Sequence, residues 1–120
     1  MLTIATIGTS VITRSFADAV SRVPDVQIGS VYSRDAARAA AFAAELGVAD
    51  SESDLAALLA DPAIDAIYVA SPNSVHAAQA AQALRAGKHV IVEKPAVTEI
   101  DDWDALVALS QQHGVGLVEA

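Results

Sequence analysis

Thr3-Ile4-Ala5-Thr6-Ile7-Gly8-Thr9-Ser10-Val11-Ile12-Thr13 begins as a strand and ends as a helix. Thr3–Ile7 is short and rich in β-branched residues, which suit a pleated surface. Gly8 breaks it. Beyond the glycine, Ile12, Phe16, Ala19/Val20 and Val23 recur at the spacing of one helix face. A strand that runs through a glycine turn into a helix is the first unit of an alternating chain.

The rest of the sequence repeats that alternation. Pro24-Asp25 punctuates, and Val26–Tyr32 reads as a second strand. Asp35 is a good N-cap for an alanine-rich helix that ends at Gly47. Ser51 with Asp54 starts another helix, with Leu55, Leu58 and Leu59 inward and Asp61-Pro62 as the stop. Ile64–Ala70 is a third strand, followed by the loop Ser71-Pro72-Asn73-Ser74. Val75–Ala86 reads as helix and Gly87 closes it. His89–Val92 is a fourth strand. Thr98 caps a helix across Trp103, Leu106, Val107 and Leu109 that ends at Gly114, and Val115–Val118 is a fifth strand. Strands and helices in this order imply right-handed crossovers. The expected fold is α/β: a doubly wound parallel sheet of the Rossmann type, with helices on both faces.

Composition agrees. The chain has 120 residues, enough for one domain. Of these, 27 are alanine and five are aromatic, so the helices are thin-walled and can lie close on a Val/Ile-rich sheet. A mean hydropathy of +0.40 excludes a disordered chain. The net charge is −8, and the basic residues form no run, which argues against a nucleic-acid partner. An anionic ligand would have to rely on local donors, because the overall field opposes it. There is no cysteine, which fits a cytoplasmic protein. Residues 66–84 carry no charge, yet Pro72, Asn73, His76, Gln79 and Gln82 argue against a membrane span. The first residues lack the basic start of a signal peptide. The three histidines stand far apart with no cysteine nearby, so no metal site is expected.

Four loops at strand ends carry the candidate chemistry. In Gly8-Thr9-Ser10-Val11-Ile12-Thr13 the backbone N–H groups of a helix start can cradle a pyrophosphate. The usual pattern has three glycines; here Ser10 and Thr13 hold the second and third positions. The loop alone is a weak signal, compatible also with a plain turn, and its position as the first strand-to-helix turn favours the phosphate-binding reading. At the end of the second strand, Ser33 lies 20 positions after Thr13, and Arg34 and Asp35 follow. A hydroxyl and a guanidinium suit a ribose 2′-phosphate, so NADP is expected in preference to NAD. Asp35 reads as the helix cap. In Ser71-Pro72-Asn73-Ser74-Val75-His76, Asn73 reads first as a cap and His76 as a surface histidine of the first turn. In Glu93-Lys94-Pro95 the proline holds Lys94 extended, and a lysine at this edge can bond a substrate hydroxyl or move a proton.

Taken together, Gly8-Thr9-Ser10-x-Ile12-Thr13, Ser33-Arg34-Asp35, Ser71-Pro72-Asn73-x-x-His76 and Gly87-Lys88-His89-Val90-Ile91-Val92-Glu93-Lys94-Pro95 resemble the N-terminal part of the Gfo/Idh/MocA oxidoreductases. The likeness spans essentially the whole chain, and its last two motifs are the specific ones. It implies an NAD(P)-binding Rossmann domain over residues 1–120 and hydride transfer to or from a sugar, cyclitol or related polyol. It implies that Gly8, Ser10, Val11 and Ile12 line the cofactor loop and that Ser33 and Arg34 meet the adenosine ribose. Ser71, Asn73 and His76 would lie along the cofactor, Glu93 beside the nicotinamide, and Lys94 would be the catalytic substrate contact. Family members carry a second domain with most of the substrate pocket and often the oligomer interface. Nothing in the chain corresponds to it. The expectation is therefore a cofactor domain with little turnover of its own, from a homo-oligomeric parent.

The competing reading is a non-catalytic dinucleotide-binding sensor or scaffold. A phosphoacceptor receiver fails, because its chemistry needs carboxylates where this chain has Ile7-Gly8 and Ser71. A coenzyme A-binding module fits the glycine loop but not Glu93-Lys94-Pro95.

Overall fold

A computed structural model describes residues 1–120. Six strands alternate with five helices. They are β1 (Leu2–Ile7), α1 (Val11–Val20), β2 (Val26–Tyr32), α2 (Ala36–Leu46), β3 (Asp50–Glu52), α3 (Leu55–Ala60), β4 (Ala66–Val69), α4 (His76–Arg85), β5 (His89–Val92), α5 (Ile100–His113) and β6 (Leu117–Glu119). A short 3₁₀ turn, Asn73–Val75, precedes α4. The sheet is parallel throughout, in the order β3-β2-β1-β4-β5-β6. The strand order reverses between β1 and β4, and in open α/β sheets ligands bind beyond the carboxyl ends of the strands at such a point.

Period-two alternation divides the core. Ala5, Ile7, Ile67, Val69, Val90 and Val92 face α4 and α5, where Ala80, Ala83, Leu84 and Leu106 cover them. Ile4, Ala66 and Tyr68 face the other way, against Phe16 of α1. A third cluster of Val31, Phe42 and Ala43 seats α2 on the same side as α1. The alanines explain themselves here. Ala39, Ala80 and Ala83 are fully buried, so each lets a helix backbone approach the sheet closely.

Several expectations need correction. β3 is a sixth strand that had been read as a helix start. Its three residues carry no apolar side chain, because it is a sheet edge. The helix after it is capped by Asp54, whose carboxylate accepts from Ala56 and Ala57 N–H at 3.0 and 3.3 Å. The last helix begins after Glu99 rather than Thr98, and no side chain caps it. In α1 the buried positions are Thr13 and Val20, whereas Ile12 and Val23 are exposed. Ile12 turns toward the carboxyl edge of the sheet, and Val23 lies past the helix end. Asp35 does cap α2, accepting from Arg38 N–H at 3.1 Å, and Gly47 closes that helix at φ +72°.

Candidate functional site

Gly8 determines how the first turn sits. Its φ is +117°, and a Cβ there would lie 2.5 Å from the Ala70 carbonyl oxygen. Only glycine lets the β1–α1 turn press against the end of β4. Ser10 then takes the N-cap position of α1 in extended backbone, but its side chain caps nothing. The first-turn N–H groups therefore have no intrahelical acceptor, and no acidic residue sits in that turn. They give the helix start a partial positive charge.

A groove of about 990 Å³ opens over this turn and runs along the carboxyl edge of the sheet. On one side it is bounded by Gly8, Thr9, Ser10 and Ile12, then by Tyr32, Ser33, Arg34 and Arg38. On the other side stand Ala70 through Val75, Gln79 of α4, and Glu93 and Lys94 beyond β5. Three cations, Arg34, Arg38 and Lys94, face one carboxylate, Glu93. The two ion pairs of the structure, Arg14–Glu45 and Arg22–Asp18, leave all three cations unpaired. In a chain of net charge −8 this is a local reversal of sign.

The groove gathers Gly8, Ser10, Ile12, Ser33, Arg34, Ser71, Asn73, Glu93 and Lys94, all singled out in the sequence. Two others stand apart. Val11 is 73% exposed and does not line the groove. His76 is 1% exposed, not a surface residue. Its ring lies behind the wall, with Nδ1 3.0 Å from the Pro95 carbonyl oxygen and Nε2 against the Ser71 carbonyl oxygen. Asn73 does not cap α4; it opens the 3₁₀ turn, and α4 starts after Val75.

Arg38 and Gln79 also line the groove and are not among the candidate site residues of the sequence. Arg38 lies in the first turn of α2, on the same wall as Arg34, which precedes the N-cap Asp35. The alanine run around it reads only as helix, which gives Arg38 no site signal of its own. Gln79 lines the opposite wall, and its amide oxygen accepts from the Ser71 hydroxyl. Further back, the Tyr68 hydroxyl donates to Glu93 at 2.7 Å. Burial and the neighbouring carboxylate push the Tyr68 phenol well above its ordinary value. The Lys94–Pro95 peptide bond is cis. No helix is long and apolar enough to cross a membrane.

Known proteins resemble the chain over its whole length. It is 39% identical to a scyllo-inositol 2-dehydrogenase (NADP(+)) of Bacillus subtilis, over 100% of this chain and 37% of that protein. It is 39% identical to a D-xylose 1-dehydrogenase (NADP(+)) of Haloferax volcanii, over 83% of this chain and 32% of that one. Among solved structures, an NAD binding oxidoreductase from Klebsiella pneumoniae superposes with a TM-score of 0.93 at 31% identity, covering 99% of this chain and 34% of that one. A 3-ketoreductase from Actinomadura kijaniata, crystallised with NADP and TDP-benzene, gives 0.92 at 32% identity, covering 98% and 36%. The chain thus spans about a third of the length of the relatives it matches. The family model described as an oxidoreductase family with an NAD-binding Rossmann fold matches residues 2–120. The chain therefore belongs to the Gfo/Idh/MocA oxidoreductase family, as its NAD-binding Rossmann fold.

Proposed function

We propose that the groove binds NADP(H) in preference to NAD(H), and that the chain is the cofactor-binding part of a longer oxidoreductase acting on a sugar, cyclitol or related polyol. The observation that carries this reading is the convergence of three unpaired cations and the open N-terminus of α1 on one groove. The donor set fits a dinucleotide. First-turn N–H groups from Ser10 to Thr13 suit the pyrophosphate. Ser33, Arg34 and Arg38 suit an adenosine 2′-phosphate, for which guanidinium is the strongest side-chain partner. Ser71, Asn73 and Gln79 line the groove after β4 and on α4, and Glu93 and Lys94 line it beyond β5.

The nicotinamide, when bound, supplies or accepts the hydride. The chain's own part in the reaction falls to Lys94. Its ammonium stands at the edge where a substrate oxygen would lie, and it can donate a proton to that oxygen as a carbonyl is reduced. In the reverse direction the neutral amine form of the same side chain takes the hydroxyl proton as the hydride leaves the carbon. The rest of the substrate pocket would come from the remainder of the longer protein. Its relatives include an NADP(+)-dependent inositol dehydrogenase and an NADP(+)-dependent xylose dehydrogenase, which supports both the cofactor and the substrate class.

Titration with NADPH, NADH and coenzyme A tests the reading, with dihydronicotinamide fluorescence as one signal and calorimetry as the other. Tight NADPH and weak NADH binding are expected. Arg34→Ala should weaken NADPH by about 30-fold, since a hydrogen bond to a charged group is worth roughly 2 kcal/mol, and should leave NADH nearly unchanged. Equal affinities for the two dinucleotides would remove the NADP preference. Binding of coenzyme A alone would remove the dinucleotide reading altogether. In the longer protein, Lys94→Ala should abolish turnover while cofactor binding persists.

A further inference from the structure

Three side chains from three different elements converge on the Glu93–Ala96 segment from behind the groove. Tyr68 of β4 donates its hydroxyl to the Glu93 carboxylate at 2.7 Å. His76 of α4 places Nδ1 3.0 Å from the Pro95 carbonyl oxygen. Glu119 of β6 accepts from Ala96 N–H at 2.8 Å. Lys94, between these anchor points, makes no ion pair and faces the groove.

Each anchor is itself fixed. Tyr68 is 1% exposed, and its ring stacks on Phe16 at a centroid distance of 3.8 Å and 6° between planes. With the ring held, the hydroxyl has little freedom to follow Glu93 if the turn shifts. The other ring nitrogen of His76, Nε2, faces the Ser71 carbonyl oxygen, and a neutral ring donates to one of these two carbonyls. The ring is packed between the loop after β4 and the loop after β5. Glu119 is exposed, yet its strand is paired to β5, with Val92 opposite Glu119. The turn that carries Lys94 is thus held on the residue before it and on the two residues after it.

We propose that Tyr68, His76 and Glu119 are positioning residues for Lys94, acting through Glu93, Pro95 and Ala96. The proposal rests on the reading of the groove as a dinucleotide site with Lys94 at its nicotinamide end. None of the three side chains lines the groove. Their effect is to hold one backbone turn so that the single flexible element left is the Lys94 side chain. A preorganised backbone under a reactive group avoids the cost of ordering it when ligand arrives.

Backbone ¹⁵N relaxation on the ligand-free chain tests the clamp without cofactor. In the unaltered protein, Glu93, Lys94 and Ala96 should show rigid order parameters of about 0.85. Tyr68→Phe keeps the ring and its stack but removes the donor, and Glu119→Ala removes the acceptor. Each should bring the Lys94 value below about 0.6 while Val90 and Val92 stay rigid. Glu119→Gln retains an acceptor oxygen and should restore the Lys94 value. The second arm compares two ligands. Tyr68→Phe should weaken NADPH by about five-fold, the worth of one hydrogen bond, and leave 2′,5′-ADP unchanged, because that fragment never reaches Lys94.

An unaltered Lys94 order parameter in both Tyr68→Phe and Glu119→Ala overturns the proposal. So does loosening that spreads equally through β5, or equal weakening of NADPH and 2′,5′-ADP. If the unaltered chain binds neither ligand, the dinucleotide reading fails while the relaxation arm still decides whether the turn is clamped.

Discussion

Replacing Gly8 by alanine isolates what the close approach of the first turn is worth. Two effects add. The backbone at φ +117° is one that an L side chain rarely adopts, and strain of that kind is worth roughly 1–3 kcal/mol. The new methyl would also stand 2.5 Å from the Ala70 carbonyl oxygen and 2.7 Å from its carbon. Both are backbone atoms of the strand-end segment that forms the groove floor, so neither can rotate away. Forcing an extra carbon into such a contact typically costs another 1–3 kcal/mol. The expected loss is therefore about 4 kcal/mol, a large part of the roughly 5–15 kcal/mol that holds a domain together. For a chain of this length that lowers Tm by roughly 10–20 °C. Gly47→Ala is the control. It also has positive φ, +72°, but nothing lies within 4 Å of its added Cβ, so only about 1 kcal/mol of backbone strain applies. Urea unfolding of the two variants side by side gives the difference, and NADPH titration of the surviving Gly8→Ala protein should show binding lost. Equal destabilisation by the two substitutions would refute the close-contact argument.

Three further outcomes are expected. Lys88 is 8% exposed and donates to the Asp61 and Ile64 carbonyl oxygens at 2.8 and 2.6 Å; Lys88→Met should cost about 2–3 kcal/mol in chemical denaturation, and a neutral result would show that these bonds contribute nothing net. The Thr13 hydroxyl is buried with no partner, so Thr13→Val, close in shape, should stabilise the fold by about 1 kcal/mol; a lower Tm would reveal a partner for that hydroxyl. The Tyr68 phenol is held well above its ordinary value by burial and by Glu93. A raised folded value means that stability is fully present below the unfolded phenol value of about 10 and falls as pH rises above it. In a Tyr32→Phe background Tyr68 is the sole tyrosine, and phenolate absorbance should then grow only together with unfolding. Phenolate forming in the folded protein near pH 10 would contradict the burial argument.

The sequence carried the alternation well because both faces of the sheet are covered. Val26–Tyr32 and His89–Val92 are strands with the expected bounds. It carried β3 poorly because a three-residue edge strand needs no apolar side chain to be held in place. Helix α1 misled for a different reason. Ile12 sits at a core spacing, yet it lines the groove, while Thr13 is fully buried. Most of the site's loops were legible because each follows a strand end. His76 was misread because its environment is made by Ser71 and Pro95, and the latter is 19 residues away. Tyr68 looked like any strand aromatic. Its hydroxyl acquires meaning only when β5 pairs with β4 and brings Glu93 beside it.

The reversal of strand order has a consequence for when the site comes into existence. β1 and β4 pair across a register in which Ile4 meets Ala66, so the seam joins the two halves of the chain. Ser10 and Arg34 stand on the half before the seam, and Ser71 and Lys94 on the half after it. Neither half alone lines both sides of the groove. A ligand spanning the groove would act as a staple across the seam, and the free energy of binding would be added to that of parting the halves. The slowest-exchanging amides should then be those of β1 and β4, and cofactor should slow them further than it slows the helices. Ligand binding would thus add to the pairing that already joins the two halves in the folded chain.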